Sequence, residues 1–144
     1  MKILVCTDGS EQSQKALEKA AMIAGGCNVN DVAVIHVYEE RPPFEAYSQN
    51  ALDSYLQMLD ENKKEMNKLL DNNIKFLEDK GIKARKILKE GHPAETIVEV
   101  GCGEGFDFIV IGSRGFGGLR KALLGSVSNA VVQQAEKCSV IIVR

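Results

Sequence analysis

A short apolar run near the C-terminus constrains the fold of this chain more than any other feature. The run Phe108–Ile111 lies between Asp107 and Gly112 and is too short for a helix, so it indicates a strand buried on both faces. A helical repeat of apolar residues begins after Gly125-Ser126. Between the two lies a cluster of glycines and basic residues: Gly112, Arg114, Gly115, Gly117, Gly118, Arg120 and Lys121. The order is therefore strand, glycine-rich loop and helix.

This order predicts a binding site for an anion such as phosphate. Glycines let the backbone approach a phosphate closely, and the N-terminus of the following helix adds a partial positive charge. Ser126 could cap that helix or donate its hydroxyl to a phosphate oxygen. The alternative is an ordinary surface loop followed by an ordinary helix cap. The density of glycines directly after a buried strand favours phosphate binding.

The rest of the chain alternates strand and helix patterns within a single domain, residues 1–144. A half-polar pattern places the third strand at an edge of the sheet. The fold class predicted is α/β, an open five-stranded parallel sheet with helices on both faces. The predicted strands are Met1–Thr7, Asp31–Tyr38, Lys83–Leu88, Phe108–Ile111 and Ser139–Val143. The predicted helices are one closed by Gly25-Gly26, a long one over Ala51–Lys80, one that Gly91-His-Pro93 introduces and Gly101–Gly105 ends, and one after Gly125.

The predicted topology brings two polar segments to one place. In such sheets ligands bind at the carboxyl ends of the strands, near the point where the strand order reverses. Asp8 follows the first strand and the glycine loop follows the fourth. We therefore expect Asp8 and the glycine loop to meet at one edge of the sheet.

Composition excludes several classes of partner. The net charge of −2 gives no electrostatic footprint for nucleic acid or for an anionic membrane. The sequence shows no signal-peptide pattern and no apolar run of membrane-spanning length, so we expect a cytoplasmic protein without membrane or nucleic-acid partners. Four scattered cysteines form no Cys-x-x-Cys pair, which predicts reduced thiols rather than a disulfide or a zinc site: Cys6, Cys27, Cys102 and Cys138.

Several motifs resemble the universal stress protein family. Gly112-x-x-Gly115 followed by Gly125-Ser126 is similar to the ATP-binding signature of that family. The resemblance extends over essentially the whole chain and includes Ile-Leu-Val-Cys-Thr-Asp-Gly-Ser at the start, His36-Val37, Asp107-Phe-Ile-Val-Ile-Gly-Ser-Arg-Gly, and Cys-Ser-Val-Ile-Ile-Val at the end. It implies a Rossmann-like fold of the adenine nucleotide alpha hydrolase-like type.

The resemblance also implies an ATP site. Adenine would lie against Val37 and the first strand–helix turn, Asp8 would face the ribose, and backbone N–H groups would hold the phosphates. Mg²⁺ or Mn²⁺ would bind through the phosphates, without a protein metal ligand. A role for Arg114 as a phosphate-binding cation is our own inference, because the family varies at that position. The full candidate set is Thr7, Asp8, Val37, Gly112, Ser113, Arg114, Gly115, Gly125, Ser126, Val127 and Ser128.

Two departures and one interface accompany the resemblance. Cys6 stands where some ATP-binding members carry another small residue, often proline, and Ser139 stands where proline is common. Similarity further implies a homodimer paired through the last strand, Val140–Val143, which would cover an apolar edge. The alternative is that the C-terminus itself covers this edge.

The resulting functional hypothesis is a nucleotide-dependent regulatory or stress-response module whose ATP hydrolysis is slow or absent. An ATP-hydrolysing or nucleotidyl-transferring enzyme of the same superfamily and a dimerisation module without nucleotide remain alternatives. The sequence has no P-loop, and Asp8 alone is little for phosphoryl transfer. His36, the one candidate base, is expected to be a hydrogen-bonded core residue. The 39–50 loop is interpreted as a connector, with a flap over the ligand as the alternative.

Overall fold

A computed structural model describes residues 1–27, 29, 31–40, 48–115 and 124–144 of the chain. Within these ranges, strands and helices alternate along the chain. The strands are β1 (Lys2–Cys6), β2 (Asp31–Tyr38), β3 (Ala84–Glu90), β4 (Phe108–Gly112) and β5 (Ser139–Val143). The helices are α1 (Glu11–Gly26), α2 (Gln49–Glu78), α3 (Pro93–Gly103) and α4 (Ser126–Gln134).

The strands form one parallel sheet in the order β3-β2-β1-β4-β5. β1 lies in the middle, with Val5 opposite Val34 of β2 and opposite Val110 of β4. The strand order reverses between β1 and β4, which is where an open α/β sheet leaves a crevice. The predicted fold class is confirmed, and so is the edge position of β3.

Two apolar layers cover the faces of this sheet. On one face, residues of β1 and β2 pack with α1 and α2, including Leu17 and Leu70. On the other face, residues of β1 and β4 pack with α3 and α4, including Ile97 and Val131. Ile3, Leu4 and Val5 of β1 are fully buried, as expected for a central strand between two helical layers.

Two helices end within the glycine segments that were predicted to close them. α1 ends at Gly26, and α3 continues through Gly101 and ends at Gly103. Gly101 is buried against β4, and a Cβ there would lie 2.6 Å from Cδ1 of Ile109. This glycine therefore permits close helix–sheet packing, and the turn is completed further on at Gly105, whose φ is +72°.

Cys102 and Cys138 form a disulfide bond, so the predicted reduced state is wrong for this pair. Their Cα atoms lie 5.5 Å apart although 36 positions separate them in the sequence. The last turn of α3 and the start of β5 both lie at the amino end of the sheet, and this topology brings the two thiols together. Cys6 is a buried free thiol and Cys27 an exposed one.

None of the helices in the described ranges is long and apolar enough to cross a membrane. α2 is the longest of them at 30 residues, and most of its surface is exposed and polar or charged.

Candidate functional site

The turn between β1 and α1 fixes the carboxylate of Asp8. Gly9 has a φ of +82°, a left-handed conformation that favours glycine, and it lets the chain reverse directly after Asp8. Ser10 caps α1, because its hydroxyl accepts a hydrogen bond from the amide of Ser13 at 3.2 Å. The amide of Ser10 donates to Oδ1 of Asp8 at 2.9 Å. One carboxylate oxygen is thus engaged within the turn.

The second carboxylate oxygen of Asp8 faces the loop after β4. A Cβ built on Gly115 would collide with Oδ2 of Asp8. The two segments predicted to converge, one after β1 and one after β4, therefore meet at the switch point of the sheet. This expectation is confirmed.

Hydrogen bonds tie the end of β4 to the start of α4. The amide of Gly125 donates to the carbonyl of Ser113 at 2.7 Å. The hydroxyl of Ser128 donates to the same carbonyl at 2.9 Å, and the amide of Ser113 donates to the carbonyl of Val143 at 2.7 Å. Ser113 is buried and acts as the junction that holds the helix start against the sheet.

The N-terminus of α4 presents backbone amides at this edge. Gly125 is the N-cap residue, and no side chain of the described residues caps the helix. The capping alternative for Ser126 is therefore wrong, because Ser126 is the first helical residue and its side chain is exposed. The amides of Ser126 and Val127 belong to the first helical turn and have no acceptor within the helix. They are suited to receive an anion, whereas the amide of Gly125 is already engaged.

A cavity of about 400 Å³ lies between these two segments, a size typical of small-molecule sites. Its lining combines apolar side chains, among them Ile35, Val37 and Ile97, with polar groups of Asp8 and the start of α4. Of the predicted site residues, the following line it: Thr7, Asp8, Val37, Gly112, Arg114, Gly115, Gly125, Ser126, Val127 and Ser128. Ser113 of the predicted set does not line the cavity; it lies behind the wall as the junction described above.

Close packing of α1 against β4 requires glycine at position 112, which the sequence did not reveal. A Cβ on Gly112 would lie 2.8 Å from the backbone carbonyl carbon and oxygen of Gln12. Glycine here lets the first turn of α1 pack against the end of β4. At Gly115, by contrast, the added Cβ would meet only the carboxylate of Asp8, so the two glycines serve different purposes.

Arg114 is the described basic residue that lines the cavity. It is half-buried, and its Nε is buried without a hydrogen-bond partner among the described residues. A buried guanidinium N–H without a partner is costly and is suited to an anionic ligand.

Sequence reasoning missed several residues of the lining. Cys6 was noted only as a departure from the family, yet it forms part of the cavity wall. Burial raises the pKa of the Cys6 thiol, and the nearby Asp8 carboxylate acts in the same direction. The thiol is therefore a neutral packing group rather than a nucleophile. The other residues missed are Ser13, Ile35, Pro93, Ile97, Ile111 and Leu124. For Ile111 the available signal was its position near the carboxyl end of a strand, and for Ser13, Pro93 and Ile97 it was their position in the first turns of a helix.

His36 is a hydrogen-bonded and half-buried residue, as predicted. Its Nδ1 lies 2.8 Å from the carbonyl oxygen of Thr7, and since a carbonyl can only accept, Nδ1 carries the proton. His92 is the exposed N-cap residue of α3. In the described ranges no group of three or more His, Cys, Asp or Glu side chains could hold a metal ion. Two predicted segments lie partly outside the described residues: the 39–50 loop, of which 41–47 are not described, and the glycine loop, of which Gly117, Gly118, Arg120 and Lys121 within 116–123 are not described.

A family model for the universal stress protein family matches residues 1–144. The chain belongs to this family. It is 34% identical over 151 aligned residues to universal stress protein YxiE of Bacillus subtilis, with 99% of this chain and 98% of the relative covered. It is 31% identical to universal stress protein MJ0577 of Methanocaldococcus jannaschii, with 99% and 94% covered.

Solved structures of family members share the fold. The structure of MJ0577 superposes with a TM-score of 0.80 at 31% identity and covers 99% of this chain and 94% of its own. Universal stress protein UspA of Lactobacillus plantarum superposes with a TM-score of 0.83 at 25% identity, with 100% and 97% covered. Three more distant members, at 22–24% identity, are described in complex with cAMP, with dAMP (Archaeoglobus fulgidus) and with AMP (Arabidopsis thaliana).

Proposed function

We propose that this universal stress protein binds ATP in the cavity between Asp8 and the start of α4 and acts as a nucleotide-dependent regulatory module. One observation carries the proposal: a single cavity is lined by apolar side chains, by Asp8, whose carboxylate faces Gly115, and by the start of α4. These three parts of the lining suit, in turn, the adenine, the ribose and the phosphates of one nucleotide. The complexes of other family members with adenine nucleotides support the same ligand class.

Each part of the ligand has a matching part of the site. We assign adenine to the apolar part of the lining beside Ile35 and Val37. We assign the ribose hydroxyls to Oδ2 of Asp8, which can accept hydrogen bonds. The phosphates would lie against the amides of Ser126 and Val127, where the dipole of α4 favours negative charge. Arg114, with its unpartnered Nε, would add a cationic contact to the phosphates.

A divalent ion would be held mainly through the nucleotide. Asp8 is the single carboxylate lining the described part of the cavity, and it is assigned to the ribose, so phosphate oxygens and water would supply the ligands of the ion. Mg²⁺ or Mn²⁺ would supply charge neutralisation between phosphate oxygens. This chain's contribution would be to orient the phosphates.

A regulatory role with slow or absent hydrolysis is favoured over a dedicated ATP-using enzyme. Phosphoryl transfer requires a positioned nucleophile and a base or water-positioning group. His36, the one candidate base from the sequence, is not among the residues that line the cavity. Cys6 is neutral and part of the wall.

We propose a homodimer that pairs through β5. In the described sheet, β5 occupies one edge, and Val140, Ile141 and Ile142 are half-exposed there. An unpaired apolar edge strand is prone to add a further strand, and a second copy of this chain offers one of matching character. A cytoplasmic location and the lack of nucleic-acid and membrane partners stay predictions from the sequence, and the Cys102–Cys138 disulfide bears against the first, because such bonds are rare in the cytosol.

The test is mass spectrometry of the nucleotide that co-purifies with the protein, followed by a time course of its conversion. We expect an adenine nucleotide at near-stoichiometric occupancy and ATP that persists over many minutes. Rapid multiple turnover would replace the regulatory proposal by the enzymatic one. Protein free of nucleotide that also fails to bind added ATP in calorimetry would refute the binding proposal.

A further inference from the structure

α2 carries a buried carboxamide that reaches the turn before Asp8. Of the three buried residues of this helix, Leu70, Asn73 and Leu77, only Asn73 is polar, and it is 5% exposed. Burying an amide is costly unless it is hydrogen-bonded. Nδ2 of Asn73 donates to the hydroxyl oxygen of Thr7 at 3.1 Å, across 66 positions of sequence. The bond joins a helix remote in sequence to the wall of the cavity.

Thr7 is fixed through each of its polar groups. Its amide donates to the carbonyl of Ile35 at 2.9 Å, and its own carbonyl accepts from Nδ1 of His36 at 2.8 Å. β2 thus holds the backbone of Thr7, while Asn73 holds the side chain. Thr7 lines the cavity and directly precedes Asp8, so its orientation sets where the Asp8 turn begins.

The donor from Asn73 gives a direction to the hydrogen bonds that follow. An amide N–H₂ can only donate, so Oγ1 of Thr7 must accept there and turn its own proton elsewhere. The nearest acceptor is Oγ of Ser13 at 3.4 Å, and Ser13 in turn donates to the carbonyl of Ser10 at 2.8 Å. Ser10 is the residue whose amide holds Oδ1 of Asp8. A chain of bonds therefore runs from α2 to the carboxylate.

We propose that Asn73 is a positioning residue for the nucleotide site: its donor bond to Thr7 holds the Asp8–Ser10 turn so that Oδ2 of Asp8 faces the ribose. This inference rests on the proposed function, because it concerns the residue assigned to the ribose. A purely structural Asn73 would affect stability and weaken all ligands alike. A positioning Asn73 affects discrimination between ribose and deoxyribose.

The principal variant is Asn73→Leu, which keeps the approximate volume and removes the donor. We expect ATP binding, measured by calorimetry, to weaken about tenfold, as for the loss of a buried hydrogen bond that orders a site. We also expect the preference for ATP over 2′-deoxy-ATP and 3′-deoxy-ATP to fall towards one. The matched control is Asn67→Leu on the same helix, because the hydrogen bond from Nδ2 of Asn67 to the carbonyl of Lys63 stays within α2. The control should keep affinity and preference.

A second pair of variants tests the same hydrogen bond by changing its acceptor, Thr7. Thr7→Val removes the hydroxyl at nearly constant volume and should reproduce the loss of ribose preference, whereas Thr7→Ser should retain it. The double variant with Asn73→Leu should bind no more weakly than the worse single variant, since both remove one interaction. These variants also provide the answer if Asn73→Leu does not fold.

The outcomes separate this inference from the proposed function. Wild-type protein that binds no adenine nucleotide refutes both. Wild-type protein that binds ATP, together with a folded Asn73→Leu variant whose affinity and ribose preference stay within twofold, refutes the role of Asn73 alone. If Asn73→Leu does not fold, Thr7→Val with full ribose preference refutes it equally.

Discussion

Gly112 and Gly115 stand three positions apart in the same motif but answer to different neighbours. Gly112 faces the backbone of Gln12 at 2.8 Å, and backbone cannot move aside cheaply. Gly115 faces only the end of the Asp8 side chain. The motif therefore combines a packing requirement with a ligand requirement.

Alanine at these two glycines should separate stability from binding. Gly112→Ala should lower the free energy of unfolding by about 1–3 kcal/mol through overpacking against α1. Gly115→Ala should leave unfolding in urea nearly unchanged and displace Asp8, so that ATP affinity falls at least about tenfold. Gly103→Ala, where an added Cβ meets nothing within 4 Å, is the control for both assays. Equal behaviour of the Gly112 and Gly115 variants in both assays would contradict this division.

Asp8 is the residue that we propose accepts hydrogen bonds from the ribose. Asp8→Ala should weaken ATP binding by about 1.5–3 kcal/mol, the range for hydrogen bonds to a charged group. Asp8→Asn keeps an oxygen for the Ser10 amide and should lose less. Calorimetry with ATP and with both deoxy forms checks this. An unaltered preference for ATP in Asp8→Ala would argue against the ribose role.

At the scale of elements, the convergence of the β1 and β4 loops could be predicted from sequence because parallel topology leaves few alternatives. Strand and helix periodicity, together with right-handed crossovers, place the carboxyl ends of β1 and β4 side by side. Asp8 and the glycine loop needed no further information.

Other features depend on tertiary contacts and could not be predicted in this way. The glycine run after Val100 indicated where α3 ends, but only the neighbouring Ile109 shows that Gly101 also permits close packing of the helix on the sheet. The bond from Asn73 to Thr7 and the pairing of Cys102 with Cys138 join positions far apart in sequence. No local pattern marks them.

The disulfide joins α3 to the residue that precedes β5, and its removal should destabilise the protein. The cysteines are 36 positions apart in sequence, and for this separation the loop-closure relation gives a loss of about 3–4 kcal/mol of unfolding free energy when the bond is removed. Urea unfolding of Cys102→Ser and Cys138→Ser, and of wild type with reductant, measures this. All three should show the same loss, with Cys27→Ser as the unaffected control.

Thiol counting checks the same bond chemically. In native protein without reductant, a disulfide reagent should titrate Cys27 quickly and Cys6 only on unfolding, because Cys6 is buried and its pKa is raised. Four titratable thiols in unfolded, unreduced protein would contradict the pairing.

At the scale of the whole molecule, the proposed homodimer depends on the β5 edge of the sheet. We expect wild-type protein to sediment as a dimer at micromolar concentration. Val140→Lys should shift it to monomer, since an added charge opposes pairing at a sheet edge. Met22→Lys, at an exposed position of α1, is the matched control. Dimers that persist in the Val140 variant would place the interface elsewhere.

Nucleotide binding as proposed requires residues from both halves of the sheet to contact one ligand. The most direct test is a crystal structure of the protein with ATP. The account predicts adenine beside Val37, a ribose hydroxyl within hydrogen-bond distance of Oδ2 of Asp8, and phosphates on the amides of Ser126 and Val127. A cavity left empty at saturating ATP, or a nucleotide bound away from Asp8 and α4, would contradict it.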